Sequence, residues 1–266
     1  MDRAVNETTS LAGNAPTDDA FLGGALQMLQ PLSGYRAGLD AVMLAAAVPA
    51  EGRARVLDVG AGVGTAGLCL ARRVATARVT LFEREAALAR LAAKNVSRNG
   101  LGDRVRVIEG DIGLSAASAK SLGLEPESFD YIIANPPFHD AHGGTLAPDP
   151  LKAAAHAMPD DGLDHWARFM ARMAGPGGCA TLIHKAEALS RLLAAFDGRF
   201  GRLHVLPLYP GAGTAAHRII VQGRKGSRAP LTLLAGLVLH DDEGAFTPQA
   251  QAILRGGAAL PLVANR

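Results

Sequence analysis

Near the middle of the chain, in "DYIIANPPFHD" (130–140), an apolar run ends on Asn135-Pro136-Pro137-Phe138, residue types that can do chemistry in that order. Proline lacks a backbone donor and fixes φ, so two in succession cannot prolong a central strand. The strand has to stop there, with an amide and an aromatic ring held stiffly side by side. Such a clamp suits an exocyclic base amine, a poor nucleophile because its lone pair is delocalised into the ring. The Asn135 side-chain carbonyl and the Pro136 main-chain carbonyl can accept its two N–H bonds and turn the lone pair towards a methyl donor, with no competing donor on the prolyl nitrogens. Phe138 can stack on a base taken out of its helix. Orientation and electrostatic stabilisation then carry the catalysis, and no strong general base is needed.

A second group of residues recurs at βα spacing. "RVLDVGAGVG" (55–64) reads as a strand running into a glycine turn, ending in Asp58-Val59-Gly60-Ala61-Gly62. The following strands end in Glu83, Asp111 and Asn135, at intervals of 25, 28 and 24 residues. Ligands of an open parallel sheet bind beyond the carboxyl ends of its strands, so three carboxylates and an amide gather on the binding edge. Gly62-x-Gly64-x-x-Gly67 also satisfies the dinucleotide fingerprint, with Glu83 near the place of the ribose-binding acid. Against NAD, Asp58 would bring negative charge towards a pyrophosphate, and Asp111 adds a further acid. A cationic ligand without phosphates suits them better: an ammonium for Asp58, a ribose for Glu83, an adenine amine for Asp111. That is S-adenosylmethionine.

The elements that must position these groups follow from periodicity. Strands are predicted within 55–64, where a strand runs into the glycine turn, and at 78–83, 104–111, 129–138 and 179–185, separated by helical stripes such as Leu88, Leu91, Ala92 and Val96 or Trp166, Phe169, Met170 and Met173. "RLHVLPLY" (202–209) and "HRIIVQGRKG" (217–226) have no helix between them and are expected to pair as an antiparallel hairpin. The expected fold is α/β: a doubly wound, mostly parallel seven-stranded sheet with an antiparallel strand at its C-terminal edge. Three parts are expected: an N-terminal extension over 1–50 with a segment at the cofactor mouth, a transferase domain over 51–230, and a strand–helix extension over 231–266 whose helix starts at Thr247-Pro248.

Composition excludes several classes. With 48% apolar residues the chain can bury a large core, and no apolar run is long enough to span a bilayer. The polar start carries no signal-peptide core, so a cytoplasmic location is expected. Cys69 and Cys179 each sit in an apolar stretch and read as reduced, buried thiols. His139 and His142 lack a third ligand at zinc spacing, so no metal is expected. The net charge is only +2, but residues 198–240 hold six basic residues and no acid: Arg199, Arg202, Arg218, Arg224, Lys225 and Arg228. A stretch of one sign favours a polyanion, here RNA.

On these motifs the chain resembles the class I S-adenosylmethionine-dependent methyltransferases with an Asn-Pro-Pro-aromatic motif. Within them it is similar to the bacterial enzymes that methylate an adenine N6 of valine tRNA, through "GGALQMLQPLSGYRAGLDAVMLAAAVPA" (23–50), "HRIIVQGRKG" and "FTPQAQAIL". The resemblance implies that Asp58, Gly60, Ala61 and Gly62 line the methionine end of the cofactor. It assigns Glu83 and Arg84 to the ribose and Asp111 and Ile112 to the adenine. Asp40, with Arg36, would lie at the cofactor mouth, and Asn135 would border both cofactor and target amine. The implied substrate is tRNA, met by the basic stretch 199–228 and a lip over 139–162. Two sister families remain as alternatives: ribosomal RNA guanine methyltransferases, which often read Asn-Pro-Pro-Phe-His as here with His139, and release-factor glutamine methyltransferases.

Overall fold

The computed structural model describes residues 15–34, 36–138 and 162–262. The chain opens with an antiparallel hairpin, β1 (Thr17–Phe21) and β2 (Leu26–Gln30), followed by α1 (Leu39–Ala46). Strands and helices then alternate: β3 (Arg55–Val59), α2 (Thr65–Arg73), β4 (Arg78–Glu83), α3 (Ala86–Arg98), β5 (Val105–Glu109), α4 (Ala116–Ser121) and β6 (Phe129–Ala134). After the segment outside the described residues come α5 (Gly162–Met173), β7 (Ala174–Lys185) and α6 (Leu189–Phe196). The hairpin β8 (Phe200–Gly211) and β9 (Arg218–Lys225) follows, then β10 (Thr232–Leu233), β11 (Leu237–His240) and α7 (Pro248–Leu254).

One sheet runs in the order β10-β8-β9-β7-β6-β3-β4-β5, with β11 also pairing β8. Every pairing is parallel except those of β9 with β7 and β8. The α/β class and the hairpin are as the sequence predicts, with two corrections. The sheet has nine strands rather than seven, because the segment after β9 adds two short strands beside β8. The antiparallel strand is also internal, covered by β8 on one side and β7 on the other. Short strands escape a periodicity reading, since two to four residues show no period.

The sheet divides two cores. Along β3, Val56 enters one and Leu57 the other; Leu81 and Phe82, Ile133 and Ile132, Ile183 and Leu182, and Ile220 and Ile219 split the same way. Successive strand residues point to opposite faces, and both faces are covered by helices, so the strands read as continuous apolar runs. Helices α1, α2, α3 and α7 cover one face, and α4, α5 and α6 the other. Within the N-terminal extension, α1 is a core element: Ala41 to Ala46 are all buried. No described helix is long and apolar enough to cross a membrane.

Two amides bind the N-terminal hairpin to the sheet domain. Asn95 is fully buried on α3; its Oδ1 accepts from Leu29 N–H at 2.7 Å and its Nδ2 donates to Leu29 O and Val63 O, each at 3.0 Å. One turn later Asn99 exchanges the same pair of bonds with Gln27, both at 2.9 Å. Residues four apart on a helix and two apart on a strand repeat at nearly the same distance, so the two side chains imitate a neighbouring strand for β2. Asn95 also reaches the glycine turn through Val63. Asn95→Ala removes the partner of the buried Val63 carbonyl and of both half-buried backbone groups of Leu29 and is expected to cost about 2–4 kcal/mol, read by urea unfolding. Asn99→Ala, at a more exposed position, is expected to cost less than half as much.

Candidate active site

The register of the sheet sets the strand ends abreast. Val59 pairs with Phe82 on one side and Ala134 on the other, and Glu83 pairs with Glu109. Neighbouring strands are about 4.8 Å apart, so Asn135, Gly60, Glu83 and Asp111 follow one another along a single edge.

At the centre lies the turn from β3 to α2. Gly60, Gly62 and Gly64 adopt φ of +64°, +57° and +91°, a region costly for other residues. A Cβ on Gly60 would stand 2.4 Å from the Trp166 indole, which lies directly against the turn. Because Gly64 caps α2 without a side chain, the cap comes from elsewhere: buried Asp58 accepts from Gly67 N–H at 2.8 Å. Gly67 is needed for that approach, since a Cβ there would meet Leu81 at 2.3 Å and the Asp58 carboxylate at 3.0 Å. Glu83, also buried, accepts from Gly62 N–H at 2.7 Å and from Glu85 N–H at 2.8 Å.

These bonds decide between the two ligands that the glycine pattern admits. A dinucleotide loop presents its amides to a pyrophosphate. Here the Gly62 and Gly67 amides are already taken by carboxylates, and the sign of the site is negative. Burial pushes the Asp58 carboxyl up to about 7, against the bond from Gly67 and with help from the Glu83 charge. Burial also raises Glu83, opposed by its backbone bonds. At the far end Asp111 accepts from Gly113 N–H at 2.7 Å and lies 3.7 Å from Arg84, which also pairs with Glu85 at 3.1 Å. Ile112 packs on the core beside Leu114.

At the other end β6 stops at Ala134, and Asn135, Pro136, Pro137 and Phe138 leave the sheet as irregular chain with no cis peptide bond. Pro136 is buried and the other three are half-buried. Ala134 pairs with Leu182, so His184 and Lys185 carry β7 past the end of β6 and wall the clamp. His184 is 3% exposed, its ring 4.8 Å from that of Phe138 with the planes 80° apart. Its Nδ1 has no hydrogen-bond partner among the described residues. Burial, with the charges of Arg191, Lys185 and Arg218, pushes it down to about 4, so it is neutral at ordinary pH. Arg218, first residue of β9, places its guanidinium carbon over the Phe138 ring, 4.7 Å from the centroid. Its Nε donates to Asp40 at 2.9 Å.

The structure therefore lines up the predicted residues at the ends of β3, β4, β5 and β6 and in the turns that follow them, and joins Asp40 to the clamp through Arg218. Arg36 is engaged elsewhere, with Asp19 at 2.7 Å. The basic stretch does not form one face. Arg218 alone stands at the clamp, whereas Arg199, Arg202, Arg224, Lys225 and Arg228 lie where β8 begins and β9 ends, at the opposite edge. Arg199 is paired there with Asp164 at 2.9 Å and Lys225 with Glu127 at 2.7 Å. Antiparallel pairing divides any one-sign run across a hairpin in this way. His139, His142 and the lip up to 161 lie outside the described residues. Both cysteines are buried and unpaired, their thiols pushed by burial up to about 12.

Trp166, His184 and the site role of Arg218 are missed by reasoning from sequence. Trp166 is indistinguishable there from the rest of its apolar helical stripe. The signal for Arg218 was present: the first residue of an antiparallel strand sits on the carboxyl edge of its parallel neighbours.

Asp58 sets a dependence on pH. A carboxyl raised from 3.8 to about 7 favours the folded state while protonated, below about 4, and that contribution is lost as pH rises through 7. Against wild type, Asp58→Asn is expected to gain stability progressively between pH 4 and 7, by up to about 4 kcal/mol, and nothing further above. Urea unfolding at a series of pH values reads this, and a difference independent of pH contradicts it.

The chain is similar to known methyltransferases. Residues 37–163 match the family model of the methyltransferase small domain. Protein Atu636 of Agrobacterium tumefaciens, described as a predicted O-methyltransferase, is 31% identical, superposes with a TM-score of 0.71, and shares 84% of this chain and 98% of its own. The tRNA1(Val) (adenine(37)-N6)-methyltransferase of Aeromonas hydrophila is 28% identical over 80% of this chain and 85% of its own length. The Bacteroides fragilis protein of the same name is 29% identical over 58% of this chain, and the match spans only 61% of that relative. The chain belongs to the same methyltransferase family as protein Atu636, and its residues 37–163 match the methyltransferase small domain.

Proposed function

We propose that this protein transfers a methyl group from S-adenosylmethionine to the exocyclic amine of a base in RNA, adenine N6 of a tRNA. The observation that carries this reading is the placing of Asn135-Pro136-Pro137-Phe138 at the end of β6, one strand from the Asp58–Gly62 turn. The names of the Aeromonas and Bacteroides relatives support tRNA adenine as the substrate. An RNA substrate of this kind also supports a cytoplasmic location. In this reading residues 51–230 form the transferase unit, 1–50 complete its mouth and 231–266 extend it.

The residues fit the cofactor. Asp58 and Glu83 are buried acids in need of a cation, and the positive-φ glycines leave no side chain between Trp166 and the turn. Asp58, Gly60, Ala61 and Gly62 hold the methionine end, Glu83 with Arg84 the ribose, and Asp111 with Ile112 the adenine. Bound there, S-adenosylmethionine supplies a methyl group already activated by its sulfonium. The chain does the rest by orientation. Asn135 and the Pro136 carbonyl accept hydrogen bonds from the two amine N–H groups, aim the lone pair, and stabilise the positive charge that develops on nitrogen as its bond to the methyl carbon forms and the sulfur–methyl bond breaks; the methylated amine then gives up one proton to water. The prolines keep those carbonyls fixed, and Phe138 excludes water from one side of the base.

The first test is methyl incorporation from labelled S-adenosylmethionine into RNA of a cell lacking this protein, with identification of the nucleoside. Methylated adenosine in tRNA is the expected product. Methylguanosine in ribosomal RNA, or label in protein glutamine, would replace the substrate, and no label would overturn the activity. Asn135→Ala is expected to bind cofactor normally while turnover falls by about 100-fold or more.

The cofactor's cationic methionine end prefers ionised Asp58, which is half protonated near pH 7 in the free protein. Affinity for S-adenosylmethionine is therefore expected to rise up to about tenfold per pH unit between 6 and 7 and to level off near 8. Titration calorimetry in buffers of different ionisation heat measures the proton released. Affinity constant over that range contradicts the role given to Asp58.

A further inference from the structure

We propose that Arg218 is a positioning residue of the clamp, its guanidinium held by Asp40 and laid over Phe138 to fix the ring against which the target base docks. This rests on the reading of residues 135–138 as an amine-binding clamp and gives Asp40 a role on the substrate side.

Phe138 follows two prolines in irregular chain and is only half-buried, so no strand or helix sets its ring plane. Three side chains from distant parts of the sequence do so instead. The Arg218 guanidinium covers the ring at 4.7 Å. Asp40, 178 residues earlier on α1, takes the Nε bond at 2.9 Å. His184 meets the ring at 4.8 Å from the β7 side. A guanidinium can do two things at once, donating in its plane to a carboxylate while its face rests on an aromatic ring. An ammonium cannot hold both geometries. Neutral His184 adds no second cation beside Arg218, and the part of the ring left exposed is free to meet a base.

The position of this group separates it from the cofactor site. Arg218 lies on β9, and β7 and β6 stand between it and β3, which carries Asp58. Three strand spacings, about 14 Å, part β9 from β3. A residue that holds Phe138 should therefore affect handling of the RNA and leave cofactor affinity alone.

The test uses the full chain labelled with 4-fluorophenylalanine, which has eight labelled sites; Phe138→Tyr identifies the resonance of position 138. Arg218→Ala and Asp40→Asn are expected to move that resonance, and Arg218→Lys to restore it only in part. The affinity for S-adenosylmethionine, read from fluorescence of Trp166, the one tryptophan of the chain, is expected to stay within about twofold. The kcat/KM for RNA should fall by about tenfold or more in each variant, with the double variant no worse than the worse single one. An unmoved resonance overturns the proposal. So does a loss of cofactor affinity in Asp40→Asn as large as its loss of kcat/KM, or a kcat/KM unchanged in Arg218→Ala. If the wild-type chain methylates no RNA, the methyltransferase reading falls, while the resonance still decides whether Arg218 holds the ring.

Discussion

Two carboxylates inside the protein, Asp58 and Glu83, each accept a hydrogen bond from an amide of the turn between β3 and α2, and the rest of the site depends on those bonds. They fix a loop of positive-φ glycines that has no side chains of its own to hold it. They also remove from use the amides with which such a loop would bind phosphate, and leave buried negative charge in their place. One pair of side chains thereby sets the shape of the pocket and the sign of its ligand. Burial raises both carboxyls, Asp58 up to about 7.

The two edges of the sheet differ because strand direction differs. Parallel strands deliver Asp58, Glu83 and Asn135 to one edge, each at the end of a βα unit. The single reversed strand, β9, delivers the start of its sequence to that same edge, which brings Arg218 to Phe138. The remaining basic residues of the hairpin go to the far edge, where Asp164 and Glu127 neutralise two of them. Charge read along a chain and charge read across a surface coincide only when the chain does not turn back.

Rigidity at the clamp comes from outside it. The prolines fix the path of the main chain but not the ring of Phe138, which takes its position from α1, β7 and β9. In the same way the glycine turn takes part of its position from Asn95, which links it to the N-terminal hairpin. Elements that contribute no reacting group thus set the geometry of those that do.

The sequence by itself determined the alternation of strands and helices, the strand ends on which Asp58, Glu83, Asp111 and Asn135 stand, and the stop of β6 before Asn135-Pro136-Pro137. These are local properties: hydrophobic period, the conformational limits of glycine and proline, and the spacing of βα units. Only the tertiary structure decided the nine-stranded count, the internal place of β9, the partner of Asp40, and the parts played by Trp166, His184 and Arg218. Each of those depends on contacts between residues far apart in the chain. A tryptophan in an apolar stripe or an arginine before a strand looks the same in sequence whether it faces the core, the solvent or a site. What separates them is which neighbour the register sets beside them, and register belongs to the folded sheet.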